Sequence, residues 1–559
     1  MHREPGWFFR LLITLILGGL LILLPICLPV LELLRFPSAW KVWAEWDRMT
    51  EVVKNTLIIA SASSLLAIIL GLITSIILVR TSLAGRWVWG LLLSMGLFIP
   101  LPMLMSGWYL VAQSFGAPMP ALWSYEARML GTIVIHGLMG LPWAVLLLSL
   151  GLLRVEPELE EEMLLYSSFA TVFRHIILPR CWPFLGMAVL LVSWPTWHEI
   201  TVTDFFKVRT IAEEVYLQLN DGSLDEAPRA VAAVVPWCLL IMLATVYVMR
   251  IWRRQCPRNW PSNARQQRYA LGNWQILAQL WMWFIVSLLV LVPCLGLIMR
   301  AGMDYSSGAG HIWSLSLVAK RVGRVITNQS DILLHSLGMS ATTGIFTAFT
   351  VLVLLWLARG SQRLETLFWW CAALLWSMPG PLIGLGLLSL IQMLIRSPGG
   401  AFWSAWLYSE PSPIPNIWSG YLRFLPLAWL ALWPMACLLP KEWDEAAWLD
   451  GASPWRRFRV LFFPQLVKPT WGIALGVALL ALGEISASKL ITTPGYLPLS
   501  HHLFQQLHAG ADSEVAALSL TLLFPALAST VGLWLFLAIN RVQFWKRQEV
   551  RRYEAGPGL

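Results

Sequence analysis

Long apolar blocks, separated by short polar segments, run along the whole chain. The blocks 8–34, 55–79 and 515–540 show the pattern most clearly, because each contains very few charged residues. A helix that crosses a bilayer needs roughly 20 consecutive apolar residues, so each block is long enough for one crossing. A chain with many crossings must satisfy its backbone hydrogen bonds within helices. The pattern therefore predicts an all-α fold, a polytopic membrane helical bundle.

Hydropathy predicts about 12 transmembrane helices. Their approximate limits are 8–34, 55–79, 87–111, 130–153, 181–201, 229–250, 276–300, 332–358, 366–394, 421–439, 468–490 and 515–540. The first block follows Arg3 and Arg10, as the apolar core of a signal peptide would. It is too long for that role, however, and no small-residue cleavage site follows it. We expect it to remain as the first span.

Composition and charge agree with a membrane protein. Hydrophobic residues make up 57% of the 559 residues and charged residues only 13%, too few to cover a soluble protein of this size. The net charge of +9 would suit a nucleic-acid-binding protein, but its distribution follows the membrane. If the N-terminus is cytoplasmic, 25 of the 40 lysines and arginines fall on the cytoplasmic side. Because positive residues accumulate there, we expect both termini in the cytoplasm and no nucleic-acid partner.

The chain is an internal repeat. The segment PLP at 100–102 returns as PGP at 379–381, and Glu199 returns as Glu484, 285 residues later. Each copy contains six predicted spans, an even number, so the two copies share one orientation. This predicts two parallel six-helix repeats, related by an axis along the membrane normal. The predicted domains are 1–250 and 276–559, joined by a basic cytoplasmic linker at 251–275.

The polar segment after the tenth span carries a distinctive pattern. A Glu-Ala-Ala triplet is followed by a glycine six residues after the glutamate and by a proline nineteen residues after it. Small alanines let another backbone pack closely, the glycine allows a turn, and the proline is expected to interrupt the helix before the next span. The pattern predicts a compact, basic pair of short helices. Its characteristic residues are Glu445, Ala446, Ala447, Gly451, Arg456 and Pro464.

This pattern resembles the EAA signature of ABC importer permeases with MetI-like domains, in which the loop is a coupling helix that fits a groove of a separate ATP-binding subunit. The resemblance extends over both six-span halves. A permease with both halves in one chain resembles the ferric-iron and thiamine branch of the family. The resemblance implies a multi-pass permease subunit of the bacterial inner membrane, with an ABC ATP-binding subunit, expected as a dimer, and a soluble periplasmic substrate-binding protein as partners.

The resemblance also implies a direction and a class of substrate. A small solute would move from the periplasm to the cytoplasm by alternating access, with ferric iron as the first expectation and thiamine as the second. Uptake of polyamines, phosphonates or inorganic anions stays open. The chain contains no GxxxxGK[ST] phosphate-binding loop, so ATP is expected to be used by the partner subunit. No catalytic residue, metal site or bound cofactor is predicted in this chain.

The corresponding segment of the first half departs from the family pattern. Glu160, Arg174 and Pro179 stand at the expected positions, but Glu161 and Glu162 replace the two alanines and Tyr166 replaces the glycine. Because its position matches that of the second copy, we expect this segment to be a second coupling loop. These substitutions predict that the two halves engage the ATPase unequally.

Two carboxylates near the ends of spans 5 and 11 are candidates for the substrate path. Charged residues within a membrane are costly, which makes Glu199 and Glu484 functional candidates, with their neighbours His198 and Ser488. Two carboxylates would suit a cationic substrate. The alternative is that both are solvated at the outer ends of their spans, with Glu484 paired to Lys489.

Other functions make different demands on the sequence. A secondary active transporter also often has two parallel six-helix halves, but it would not need the two loops and would show more charges within its spans. A membrane enzyme acting on lipid-linked substrates would need a catalytic cluster of His, Asp or Glu, which the spacing does not provide. His501, His502 and His508 lie in a predicted outer loop and are expected to be solvated rather than to bind metal.

Overall fold

A computed structural model describes residues 15–117, 120–219, 226–255, 268–304, 312–409, 411–510 and 512–554. The start of the first predicted span and residues 256–267 of the predicted linker lie outside these ranges. The predicted domain boundaries therefore stay a prediction. We use "first half" for the described residues up to Gln255 and "second half" for those from Arg268 onward.

The first half consists of α-helices joined by short turns. The helices are α1 Leu24–Arg35, α2 Trp46–Ser75, α3 Arg86–Gly96, α4 Leu101–Ser114, α5 Tyr125–Leu152, α6 Pro157–Tyr166, α7 Phe169–Val172, α8 Leu178–His198, α9 Thr201–Phe205, α10 Ile211–Leu219 and α11 Glu226–Gln255. Wider π-helical turns extend three of them, at Leu15–Leu23, Ile76–Arg80 and Phe173–Ile177, and 3₁₀ turns lie at Pro37–Ala44 and Pro120–Leu122.

The second half repeats this order. Its helices are α12 Gln275–Val286, α13 Val292–Gly302, α14 Leu315–Asn328, α15 Ser330–Ala358, α16 Gln362–Ser377, α17 Gly380–Ile395, α18 Gly400–Ser404, α19 Ile414–Cys437, α20 Lys441–Leu449, α21 Pro454–Arg457, α22 Phe463–Ala481, α23 Leu499–His508 and α24 Asp512–Glu554. A two-residue hairpin pairs β1 Met303–Asp304 with β2 Ile312–Trp313. The π-helical turns lie at Ser287–Leu291, Ala405–Ser409 and Phe458–Phe462, and a 3₁₀ turn at Gly272–Trp274.

The number of membrane spans agrees with the sequence. Within the described ranges, nine helices are long and apolar enough to cross a membrane, and three bent helix pairs bring the total to twelve. The chain is therefore a polytopic helical membrane protein, as the hydropathy pattern predicts.

Two predicted single spans, 87–111 and 366–394, are wrong in shape. Each is a pair of helices with a sharp bend, 98° between α3 and α4 and 110° between α16 and α17. The bends lie at Pro100 and Pro379, whose backbones are extended, with ψ of 139° and 145°. Proline lacks the N–H that would continue the helix and restricts the residue before it. The repeated proline segments therefore break the same span in both halves.

The eleventh span is also displaced from its prediction. Its helix is continuous from Pro454 and ends at Ala481, whereas hydropathy predicts a span over 468–490. The residues after Ala481 form turns that pack inside the bundle, where Ile485 and Ala487 are buried. An apolar segment buried by protein looks the same to a hydropathy window as one buried by lipid.

The first span of each half packs against the other half. Helix α1 lies on α17 of the second half, and α13 lies on α4 of the first half. A glycine makes each approach possible: a Cβ on Gly386 would overlap the carbonyl oxygen of Pro25, and a Cβ on Gly107 would lie 2.7 Å from that of Pro293. A glycine and a proline thus form both contacts, and each half packs against the first span of the other half.

Tryptophan side chains add hydrogen bonds across the interface between the halves. Trp418 Nε1 donates to the carbonyl of Leu21 at 3.0 Å, and Trp108 Nε1 donates to that of Leu288 at 3.2 Å. Both bonds are accepted by the first span of a half, which packs against the opposite half. A buried indole needs a partner for its N–H, so these bonds specify which surfaces meet.

We predict that Gly386→Ala destabilises the protein by about 1–3 kcal/mol, because the added methyl group overfills the contact with Pro25. The matched control is Gly338→Ala in α15, since a Cβ there meets no atom within 4 Å. The control should be neutral or stabilise by up to about 1 kcal/mol, the ordinary helix preference for alanine. Thermal unfolding of the purified chain in detergent measures both. Equal unfolding temperatures for the two variants would contradict this packing.

Candidate functional site

The second loop has the two short helices that its sequence predicts. Helix α20 ends at Leu449, and Gly451 follows with a positive φ of 74°, a conformation that glycine adopts at little cost. Ser453 then caps α21, accepting a hydrogen bond from the Arg456 amide at 3.3 Å. An ion pair of 3.4 Å between Asp444 and Arg457 joins the two short helices of this loop.

The first loop is anchored by a buried charge. Glu160 on α6 is fully buried and accepts a hydrogen bond of 2.7 Å from Arg80, which ends the second span. A second nitrogen of Arg80 donates to the carbonyl of Leu152 at 2.8 Å. The phenol of Tyr269 donates to the other oxygen of Glu160. Burial, together with the nearby carboxylate, raises the pKa of Tyr269 above its usual value.

Tyr269 also joins this anchor through its backbone. Its amide donates to the carbonyl of Arg80 at 2.8 Å, and its carbonyl accepts from the amide of Ser82 at 3.0 Å. Tyr269 lies just before the first span of the second half. The first loop, the second span and the entry to the second half therefore meet at one carboxylate.

The two family-pattern glutamates occupy opposite environments. Glu160 is buried in its ion pair, whereas Glu445 is exposed to solvent. In the second half the acid that forms an ion pair is Asp444, one residue earlier, and its partner Arg457 lies in the same loop. Arg359, which ends the eighth span as Arg80 ends the second, donates to the carbonyl of Pro440 at 2.8 Å. The sequence match of Glu160 with Glu445 therefore pairs residues that do different things.

The predicted helix break at Pro464 is wrong. The chain remains helical from Pro454 to Ala481, and a π-helical turn at Phe458–Phe462 precedes the proline. The first half does the same, with a π-helical turn at Phe173–Ile177 before Pro179. A wider turn shifts the hydrogen-bond register, so that a proline without an N–H is tolerated. The second short helix of each loop is therefore continuous with the span that follows it.

Both loops present large apolar side chains to the outside. The exposed side chains of the second loop are Trp443, Trp448, Leu449 and Trp455. Those of the first loop are Leu159, Leu165 and Tyr166, and Tyr166 is 83% exposed. Arg174 and Arg456 are exposed as well. Adjacent exposed apolar side chains with a charged rim are typical of a protein-binding surface.

The two candidate carboxylates stand where helices end inside the bundle. Helix α8 ends at His198, and Glu199 accepts hydrogen bonds from the amides of Ile200 and Thr201 at 3.2 and 3.1 Å. Glu484 follows α22 and accepts from the amides of Ala487 and Ser488 at 2.8 and 3.2 Å. Both carboxylates thus satisfy backbone donors that have no helical acceptor.

One guanidinium group binds both carboxylates. Arg423 on α19 donates to Glu484 at 2.5 Å and to Glu199 at 3.2 Å, and all three residues are buried. Ser486 of the second half also donates to Glu199, at 2.9 Å. We call Glu199, Arg423 and Glu484 the central charge cluster. It joins the two halves and, with both carboxylates ionised, has a net charge of −1.

The central charge cluster borders a cavity of about 60 Å³ between the halves. Its walls come from both halves, including the bend at Pro100 and the side chains of Trp194 and Leu480. That volume has room for a few water molecules. Of the four predicted path residues, Glu199 and Glu484 line this cavity. His198 instead bonds the carbonyl of Trp376, and Ser488 bonds His501.

Two details of the sequence interpretation are corrected here. Glu484 pairs with Arg423 rather than with Lys489, and neither carboxylate is solvated. His501, predicted to be solvated, is buried. His508 bonds Asp204 of the first half at 2.9 Å, which raises the pKa of His508. Burial would raise the pKa of Asp204, but hydrogen bonds from His508 and Lys207 lower it to about 2.

Three residues that organise these sites were not predicted, namely Arg423, Arg80 and Tyr269. Arg423 lies inside the predicted span 421–439, and a cation in an apolar span is a signal by itself. At the offset that matches Pro142 to Pro426, its counterpart is Met139. Arg80 and Tyr269 gave no comparable signal, because their partner Glu160 is 80 and 109 residues away in sequence.

The two family-pattern glutamates allow a matched test. We predict that Glu160→Ala destabilises the protein by about 3–5 kcal/mol, because it leaves the buried guanidinium of Arg80 without its carboxylate. Glu445→Ala should change stability by less than about 0.5 kcal/mol, because Glu445 is exposed. Unfolding temperature and the yield of monodisperse protein in detergent measure the difference. Two variants of equal stability would show that Glu160 is not an anchor.

Comparison with known proteins finds similarity to permeases of transport systems. It is 24% identical over 537 residues to the Fe(3+)-transport system permease protein FbpB 2 of Haemophilus influenzae, covering 92% of this chain and 95% of the relative. A permease protein of Salmonella choleraesuis named for 2-aminoethylphosphonate transport is 32% identical over 100 residues, 18% of this chain and 35% of the relative.

A shorter similarity points the same way. A permease protein of Marchantia polymorpha named for sulfate transport is 32% identical over 130 residues, 22% of this chain and 42% of the relative. No protein-family model matches the chain, and no solved structure matches it significantly. The two six-span halves, the paired loops and the near full-length similarity fit an ABC transporter permease in which two transmembrane domains are fused in one polypeptide.

Proposed function

We propose that this protein is the membrane subunit of an ATP-driven importer that moves ferric iron from the periplasm to the cytoplasm. The near full-length similarity to an Fe(3+)-transport system permease carries this proposal, because it covers both halves and both loops. The partners are an ABC ATP-binding subunit, which uses the ATP, and a soluble periplasmic substrate-binding protein. The protein lies in the bacterial inner membrane with both termini in the cytoplasm.

The coupling loops support the ATPase partner. In the second loop, Ala446 and Gly451 have little or no side chain, so another protein can approach the backbone closely there. Trp448 and Leu449 expose apolar surface beside them. A partner groove gains that area on binding. The first loop presents Glu161 and Glu162 in place of the alanines, so its surface is acidic. The second loop is therefore the main contact with the ATP-binding subunit.

The charge cluster supports a path between the halves. Glu199 and Glu484 border the cavity at the interface, and their net charge with Arg423 favours a cation over an anion. The cavity of about 60 Å³ is too small for an organic solute, so the path is closed at this level in the conformation described here. Opening it requires Arg423 to leave at least one carboxylate.

We predict that Gly451→Val weakens the ATPase complex. A β-branched residue resists the positive φ at this turn, which costs about 1–3 kcal/mol and moves the flanking helices. The matched control is Gly510→Val, a glycine with φ of 71° and open surroundings, between α23 and α24. Co-purification of the ATP-binding subunit and its ATPase rate measure the effect. Loss of the partner only in Gly451→Val is expected; retention in both variants would disprove coupling through this loop.

A second prediction concerns the charge cluster. The triple variant Glu199→Gln, Arg423→Met, Glu484→Gln removes all three charges together, so no buried ion is left unpaired and the fold is retained. We expect ⁵⁵Fe uptake into proteoliposomes, with all partner subunits present, to fall by about tenfold, equivalent to roughly 1.4 kcal/mol of lost interaction. ATPase co-purification should be unchanged. Uptake at the wild-type rate would exclude these carboxylates from the path.

A further inference from the structure

A long groove, lined by the first half together with Arg268 and Trp534 of the second half, shares no lining residue with the cavity at the central charge cluster. Its volume is about 430 Å³. The walls come from the end of the second span, α3, α5 and one tryptophan of α24. The apolar lining is formed mainly by Leu78, Val79, Leu93, Leu146, Leu150 and Trp534.

The groove has a cationic end and an apolar end. Arg86 and Arg268 line it where α3 begins, beside Val79 and Leu153, and Leu97 and Pro142 line the opposite end. Arg268 is exposed and forms no ion pair with any other residue in the described ranges. A guanidinium group presents a planar fork of N–H donors, a geometry that matches phosphate oxygens.

The shape of the groove limits what can occupy it. From Arg86 to Leu97 the helical rise of 1.5 Å per residue gives a length of about 16 Å. A bare anion would use the cationic end and leave the apolar walls empty. A single hydrocarbon chain with an anionic head fills both parts.

The position of the groove agrees with a lipid of the inner leaflet. Its cationic end lies beside the second-span terminus, where Arg80 binds the first loop, on the side where the basic residues of the chain accumulate. Basic pockets between transmembrane helices on the cytoplasmic side suit anionic lipid head groups. We propose that this groove binds one anionic phospholipid, with its phosphate on Arg86 and Arg268 and an acyl chain between α3 and α5.

The bound lipid would also hold the segment that enters the second half. Arg268 directly precedes Tyr269, which bonds Glu160 and the backbone of Arg80. A phosphate bridging Arg268 to Arg86 fixes this segment against the start of α3. The lipid site thus adds a contact to the anchor of the first loop, and it does so whatever the transported solute is.

Native mass spectrometry of the purified full-length chain tests the proposal. After delipidation in detergent, the chain is titrated with phosphatidylglycerol, with phosphatidylcholine and with inorganic phosphate. We expect one phosphatidylglycerol per chain to bind in preference to phosphatidylcholine, and inorganic phosphate not to displace it. Arg86→Ala with Arg268→Ala should weaken phosphatidylglycerol binding by about 30-fold, the contribution expected of two basic residues at an anionic membrane surface.

Two further variants make the result decisive. Arg254→Ala with Arg363→Ala removes two exposed arginines at other span ends and should leave binding unchanged. Ser94→Trp fills the groove while keeping both arginines, and should abolish phosphatidylglycerol binding. Equal binding of phosphatidylcholine, displacement by inorganic phosphate, or an equal loss in the control pair would each overturn the proposal. These readouts need neither the ATPase nor the transported solute.

Discussion

The guanidinium of Arg423 lies between two carboxylates, one from each half, in a region that water hardly reaches. Two helices end there, and the backbone amides that follow each end need acceptors within the protein. Glu199 and Glu484 are those acceptors, but an acceptor with a full charge is costly to bury unless it is paired. Arg423 supplies that pairing for both. The interior ends of α8 and α22 therefore depend on a side chain from α19.

The packing of each first span against the opposite half depends on a different constraint, shape rather than charge. Gly107 and Gly386 let the backbones at Pro293 and Pro25 approach closely, so each half is wrapped by a helix of the other. These contacts lie at the periphery, whereas Arg423 acts at the centre. Apolar packing between helices gains little from the hydrophobic effect inside a bilayer, which makes close contact and buried polar bonds the main sources of association. Sliding one half against the other would therefore disturb the glycine contacts and the ion pairs together.

Hydropathy could predict the spans and the repeat, because both are properties of segments longer than ten residues. It could not predict the bends near 100° at Pro100 and Pro379, since a window averages across the break. It also extended the eleventh span past Ala481, because apolar turns buried in protein resemble apolar helix in lipid. Only part of the central charge cluster could be predicted from the sequence. The two carboxylates recur at matching positions of the repeat, while the arginine between them has no counterpart in the first half and comes from a third helix.

The two loops show how a repeated fold can separate roles. In the first half the family-pattern glutamate, Glu160, bonds Arg80 and Tyr269 of the same chain in a buried anchor. In the second half Asp444, the residue before Glu445, pairs with Arg457 inside the same loop, and Glu445 stays on the surface. The first loop is thus fixed to the body of the protein by a buried ion pair, whereas the second loop keeps the carboxylate of Glu445 exposed.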